Sequence, residues 1–92
     1  MTRLELFVVE RYVPQLDDAA AASIARRFED ASTSMGTDGL RIRWVCAIAL
    51  LEEESVLSLV CAEAVDQVVL LSERAGMTPN SVQRALVYPP WP

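Results

Sequence analysis

Glu10 and Arg11 close an apolar run, Leu6-Phe7-Val8-Val9, and both are residue types that could do chemistry there. An acid in such a setting can serve as a buried base or a ligand anchor; it can equally be a rim carboxylate or half of an ion pair. Cys46 and Cys61, the 2 cysteines, would join Glu10 to offer two soft sulfurs and one oxygen to nickel or another thiophilic divalent metal. They lack CxxC spacing, and cysteine also serves as a small buried hydrophobe. Arg43 and Arg41 flank one strand, with Arg3 and Arg84 as possible neighbours. They could receive a small acid bidentately or pair with Glu5 across strands. Tyr12, Trp44, Phe7 and Trp91 could wall a small-molecule pocket, although aromatic residues also build cores. The candidate ligand-pocket residues are therefore Glu10, Arg11, Tyr12, Trp44 and Arg43, and the candidate metal ligands Cys46, Cys61 and Glu10. Glu52-Glu53-Glu54 lacks the Asp/Asn and Gly alternation of a calcium loop and reads as a solvated turn. No Gly-rich phosphate loop or Ser-His-Asp set occurs, and no catalytic residue is assigned.

The chain has no histidine, which removes the commonest metal ligand and the usual general base at neutral pH. Its 8 basic residues are all arginines, against 13 acids, for a net charge of −5. Such a surface repels phosphates, so nucleic acid is not an expected partner. A hydrophobic content of 52% excludes intrinsic disorder. No apolar run reaches the roughly 18 residues of a membrane span. Arg3, Glu5, Glu10 and Arg11 break up the N-terminal apolar segment, so no signal peptide is expected. The expected compartment is the cytoplasm, where cysteines stay thiols.

Ninety-two residues suit a single domain over 1–92, with a Pro-rich tail at 89–92. A domain this small hides only about 60–65% of its extended-chain surface. The apolar content exceeds what one thin core can hold, which points to a homodimer unless exposed alanines absorb the surplus.

The elements that must position these residues follow from periodicity. Residues 3–13 read as a strand with Leu4, Leu6 and Val8 on one side and Phe7, Val9 and Val13 on the other, ended by Pro14. Residues 17–35 read as a helix with the stripe Ala20, Ile24, Phe28, Ala31 and Met35, started by Asp17 and closed by Gly36. Residues 41–51 and 56–62 read as strands of a hairpin whose turn holds the three glutamates. Centring that turn between Glu53 and Glu54 sets Cys46 opposite Cys61 and Ile48 opposite Leu59. Trp44, Cys46, Ile48 and Leu50 then share one face, and Arg43, Val45, Ala47 and Ala49 the other. Residues 63–75 read as a second helix with Ala64, Val68, Leu71 and Ala75 inward, stopped by Gly76. Residues 82–88 read as the last strand.

The order β-α-β-β-α-β predicts an α+β ferredoxin-like sandwich: a four-stranded antiparallel sheet with two helices on one face. Both sheet faces are apolar, so the face away from the helices is expected to meet a second sheet or to lie under the tail with Trp91.

Phe7-Val8-Val9-Glu10-Arg11, then Trp44-Val45, then Glu73-Arg74-Ala75-Gly76-Met77-Thr78-Pro79 resemble a bacterial family of small, mostly uncharacterised ferredoxin-like proteins, some members of which are labelled nickel-binding. The resemblance extends over most of residues 4–89. It implies the same fold, a dimer and, in some relatives, nickel. Here the segment before the proline is one residue longer, Ser58 stands where many relatives have cysteine, and no histidine is available for a histidine-based nickel site.

These features favour a small dimeric ligand- or metal-binding protein without catalysis. One alternative is a cofactor-free monooxygenase- or isomerase-like enzyme, by analogy of fold, with its pocket between sheet and helices or at the dimer interface and Glu10 or Arg11 acting beside Trp44. Another is a structural interaction module.

Overall fold

A computed structural model describes residues 3–89. Its elements are β1 (Glu5–Tyr12), α1 (Asp18–Thr37), β2 (Ile42–Leu50), β3 (Ser55–Ala62), α2 (Val65–Arg74) and β4 (Ser81–Arg84). The strands form one antiparallel sheet in the order β2-β3-β1-β4 with two crossovers, the α+β ferredoxin-like arrangement expected from the element order.

The helices cover one sheet face and enclose the core. Ile24, Phe28, Ala31 and Met35 of α1 are buried, as are Val68 and Leu71 of α2 and Ala75 just beyond it. They meet Phe7 and Val9 of β1 and Val56, Val60 and Ala62 of β3. Asp17 caps α1, its carboxylate accepting from the Ala20 N–H at 2.8 Å. Gln67 completes the start of α2, its side chain accepting from the Glu63 N–H at 3.0 Å. Ala64, expected inward, is exposed at the N-cap of α2.

Both helices end in the same paired hydrogen bonds. The Leu40 N–H reaches the Met35 carbonyl and the Gly39 N–H the Gly36 carbonyl; Met77 to Ser72 and Gly76 to Glu73 repeat the pattern. The left-handed residue is Gly39 (φ 90°) after α1 and Gly76 (φ 74°) after α2. Gly36, expected as the stop, instead lies inside α1. The helix continues because Gly39, three residues later, supplies the positive φ that the closing turn needs.

Two expectations about the hairpin are corrected. The turn is Leu51 to Glu54, and β2 pairs with β3 so that Leu50 faces Ser55, Ile48 faces Leu57 and Cys46 faces Leu59. The pairing is thus two residues out from the one centred on Glu53 and Glu54. A two-residue slip preserves side-chain parity, so Cys46, Ile48, Leu57 and Leu59 keep their shared face. A β-bulge between Trp44 and Cys46 then reverses the parity of what precedes it. Trp44 pairs with fully buried Val60 and packs against the core, whereas Arg43 pairs with Cys61 on the other face. The last strand spans only four residues; Leu86, expected within it, is 81% exposed.

Candidate functional site

The face opposite the helices is the surface on which most candidate residues converge. It carries Leu6, Val8 and Glu10 of β1, Leu57, Leu59 and Cys61 of β3, and Cys46 and Ile48 of β2. Ile48 is 46% exposed, which shows that the described residues leave this face open. A solvated antiparallel face normally alternates apolar-in with polar-out, and this one does not.

Glu10 lies on this face between β3 and β4, opposite Leu57 on one side and Ser81 on the other. Its two carboxylate oxygens each accept one hydroxyl, from Ser81 and from Ser55, both at 3.2 Å. It makes no ion pair among the described residues. A half-buried carboxylate held by two neutral hydroxyls keeps lone pairs for a further donor. The sequence alone could not have found Ser55 and Ser81: neither is near Glu10 in the chain, and only the strand register brings them there.

Tyr12, two residues on, shares the face and belongs to a second polar knot. Its hydroxyl donates to Glu54 at 3.2 Å, and the other Glu54 oxygen accepts from the Gln15 N–H. The Val13 N–H donates to the Glu54 carbonyl at 2.7 Å. The Glu54 charge, with the hydrogen bond to it and burial, pushes the Tyr12 phenol above its ordinary 10.0, because a second negative charge beside the first is unfavourable. Of the three glutamates expected in a solvated turn, Glu54 is thus a structural ligand of the β1–α1 loop. Asn80 joins the same end: its side chain accepts from the Tyr12 N–H at 2.6 Å, and its own N–H donates to the Glu10 carbonyl at 2.8 Å.

Arg11 and Trp44 do not join the site. The Arg11 guanidinium donates to the Thr78 carbonyl at 2.5 Å. The Trp44 backbone N–H donates to Ser32 Oγ at 3.1 Å beneath α1, and its buried indole N–H finds no acceptor among the described residues. Arg43 is on the open face, at the corner away from Glu10. The expected pocket of five residues is therefore divided: Glu10, Tyr12 and Arg43 on one face, Arg11 and Trp44 off it.

The metal candidates are not gathered. Strand spacing and rise place Cys46 and Cys61 about 8 Å apart at Cα, with Glu10 about 12 Å from Cys46 and about 14 Å from Cys61. Cys46 faces Leu59 and Cys61 faces Arg43, rather than each other. Metal–sulfur bonds of about 2.3 Å cannot span this layout within one chain. Among the described residues no group of three His, Cys, Asp or Glu side chains could hold a metal ion. Burial pushes the Cys61 thiol up, partly offset by Arg43. The net rise makes Cys61 a poor thiolate donor near neutral pH.

Two open grooves lie away from Glu10, Tyr12 and Arg43. One of about 690 Å³ runs beside Arg3, Leu6, Arg84 and Leu86 at the far end of β1; the other, of about 590 Å³, lies between the helices near Arg27, Asp30 and Arg74. Neither is lined by a candidate pocket residue. Arg84 pairs with Glu5 at 3.4 Å, and Arg41 with Glu63 at 3.5 Å. No described helix is long and apolar enough to cross a membrane. No family model, curated protein or solved structure matches the chain.

Proposed function

We propose that this is a small homodimeric binding protein, without catalysis, whose open sheet face receives a second copy and holds a small, mainly apolar ligand between the two sheets. The observation that carries this reading is the apolar face itself, with Leu6, Val8, Leu57, Leu59 and Ile48 left uncovered by the other described residues; Trp91 of the expected tail lies outside the described residues. The resemblance of Phe7–Val8–Val9–Glu10–Arg11 and of the 73–79 segment to a dimeric ferredoxin-like family supports the same arrangement. A thiolate-rich nickel site is not part of the proposal, because Cys46, Cys61 and Glu10 stand apart.

Thermal unfolding tests both halves. A dimer's melting temperature rises with protein concentration, since association stabilises only the folded state. A panel of small apolar acids, alcohols, amines and divalent metals should contain compounds that raise it further. A melting temperature independent of concentration overturns the dimer, and a panel without effect overturns the ligand.

A further inference from the structure

The open face carries one charge of each sign. Among its described strand positions Glu10 and Arg43 alone are charged, and neither makes an ion pair among the described residues. They stand at opposite corners of the patch that β2, β3 and β1 span, with β4 beyond Glu10. Arg43 is on β2 opposite Cys61 and Glu10 on β1 opposite Leu57, with β3 between them. Two strand spacings and four residues of rise separate them by about 16 Å. The midpoint of that line falls on Leu59, which lies on the intervening strand two residues from the level of each.

We propose that a second copy docks on this face about a two-fold axis through Leu59, so that Glu10 of each copy pairs with the partner's Arg43. This rests on the reading above that a second copy covers the face, and it specifies how. An axis in the plane of the face, perpendicular to the Glu10–Arg43 line, exchanges the two corners. It matches Glu10 to the partner's Arg43 twice, as an isologous interface requires. The same axis crosses the two sets of strands at about 70°, close to the near-orthogonal class of sheet packing. Stacked sheets lie about 10 Å apart, a gap that one glutamate and one arginine side chain together bridge.

Charge favours a copy of this chain, and the area admits one. Four strands of these lengths give roughly 500 Å² of projected face, and a corrugated surface exposes more; standard interfaces use about 800 Å² per partner. A wholly apolar cover would bury both charges unpaired, which is strongly unfavourable. The chain itself supplies the complementary pattern, and Ser55 and Ser81 already hold the carboxylate in place.

Sedimentation equilibrium on Glu10→Arg, Arg43→Glu and the double variant tests the pairing. Each single change sets like charges together at both corners and should weaken the dimer at least tenfold. The double change restores opposite signs and should regain most of the parent affinity. A milder cycle with Glu10→Gln and Arg43→Gln covers the case in which reversal disturbs folding; there the two losses should be less than additive in the double variant. A dimeric parent whose double variants show no coupling overturns the pairing and leaves the dimer standing. A monomeric parent removes the dimer and the pairing with it.

Discussion

Glu54 illustrates how one side chain joins two loops. It sits at φ 53°, and Gln15, whose N–H it accepts, sits at φ 59°. Non-glycine residues hold such backbone only where surrounding bonds determine it, and here the carboxylate and the Val13-to-Glu54 bond do so. Glu54→Ala should therefore cost about 1 kcal/mol in urea unfolding, modest because the site is partly solvated. The charge has a separate signature. The folded chain holds the Tyr12 proton more tightly than the unfolded chain, so its contribution to stability is present below pH 10.0 and is lost as pH rises through the raised value. Tyrosinate absorbance should show Glu54→Gln ionising Tyr12 at lower pH than the parent; coincident titrations would detach Tyr12 from Glu54. The two serines on Glu10 act at the same scale, and neither was visible as a partner from its place in the chain.

The glycines after and within α1 separate two roles at the scale of the element. Gly36 has helical neighbours and open space where a Cβ would lie, and Gly39 has open space but φ 90°. Gly36→Ala should then stabilise the chain by about 0.5–1 kcal/mol, and Gly39→Ala should destabilise it by about 1 kcal/mol. Denaturant midpoints moving the opposite way would return the helix end to Gly36. The misplacement is instructive. Apolar spacing marks the buried stripe through Met35, and any glycine just beyond it looks like a stop; only the closing hydrogen bonds to Met35 and Gly36 identify which one turns. The strands show the same division. Their succession along the chain, and the placing of Phe7 with Val9 and of Val56 with Val60 on common sides, were legible from period two; which side the helices cover was not. The bulge at Val45 was not, because an extra apolar residue in an apolar strand alters no pattern. That bulge turned Trp44 toward the core and Arg43 onto the open face, while Arg11 is parted from Glu10 by the ordinary alternation of β1. A turn without Asn-Gly or Asp-Gly likewise left the hairpin register open by two residues.

On the scale of the whole molecule, one side of the sheet is occupied by two helices, and the other offers apolar side chains framed by one acid and one arginine. Leu59→Arg would bring two cations together on the proposed axis, and it should give a folded monomer with near-parent far-UV circular dichroism. If that variant stays dimeric, the axis does not pass through Leu59. Cys46, exposed in the single chain, lies beside Leu59. It should react slowly with a thiol reagent in the parent and quickly in Leu59→Arg; equal rates would leave the face uncovered in both. The most direct measurement is light-scattering mass at micromolar concentration and low salt. The expected value is twice the chain mass of 10.2 kDa, whereas a mass of 10.2 kDa across the concentration range would contradict the covering of this sheet face by a second copy.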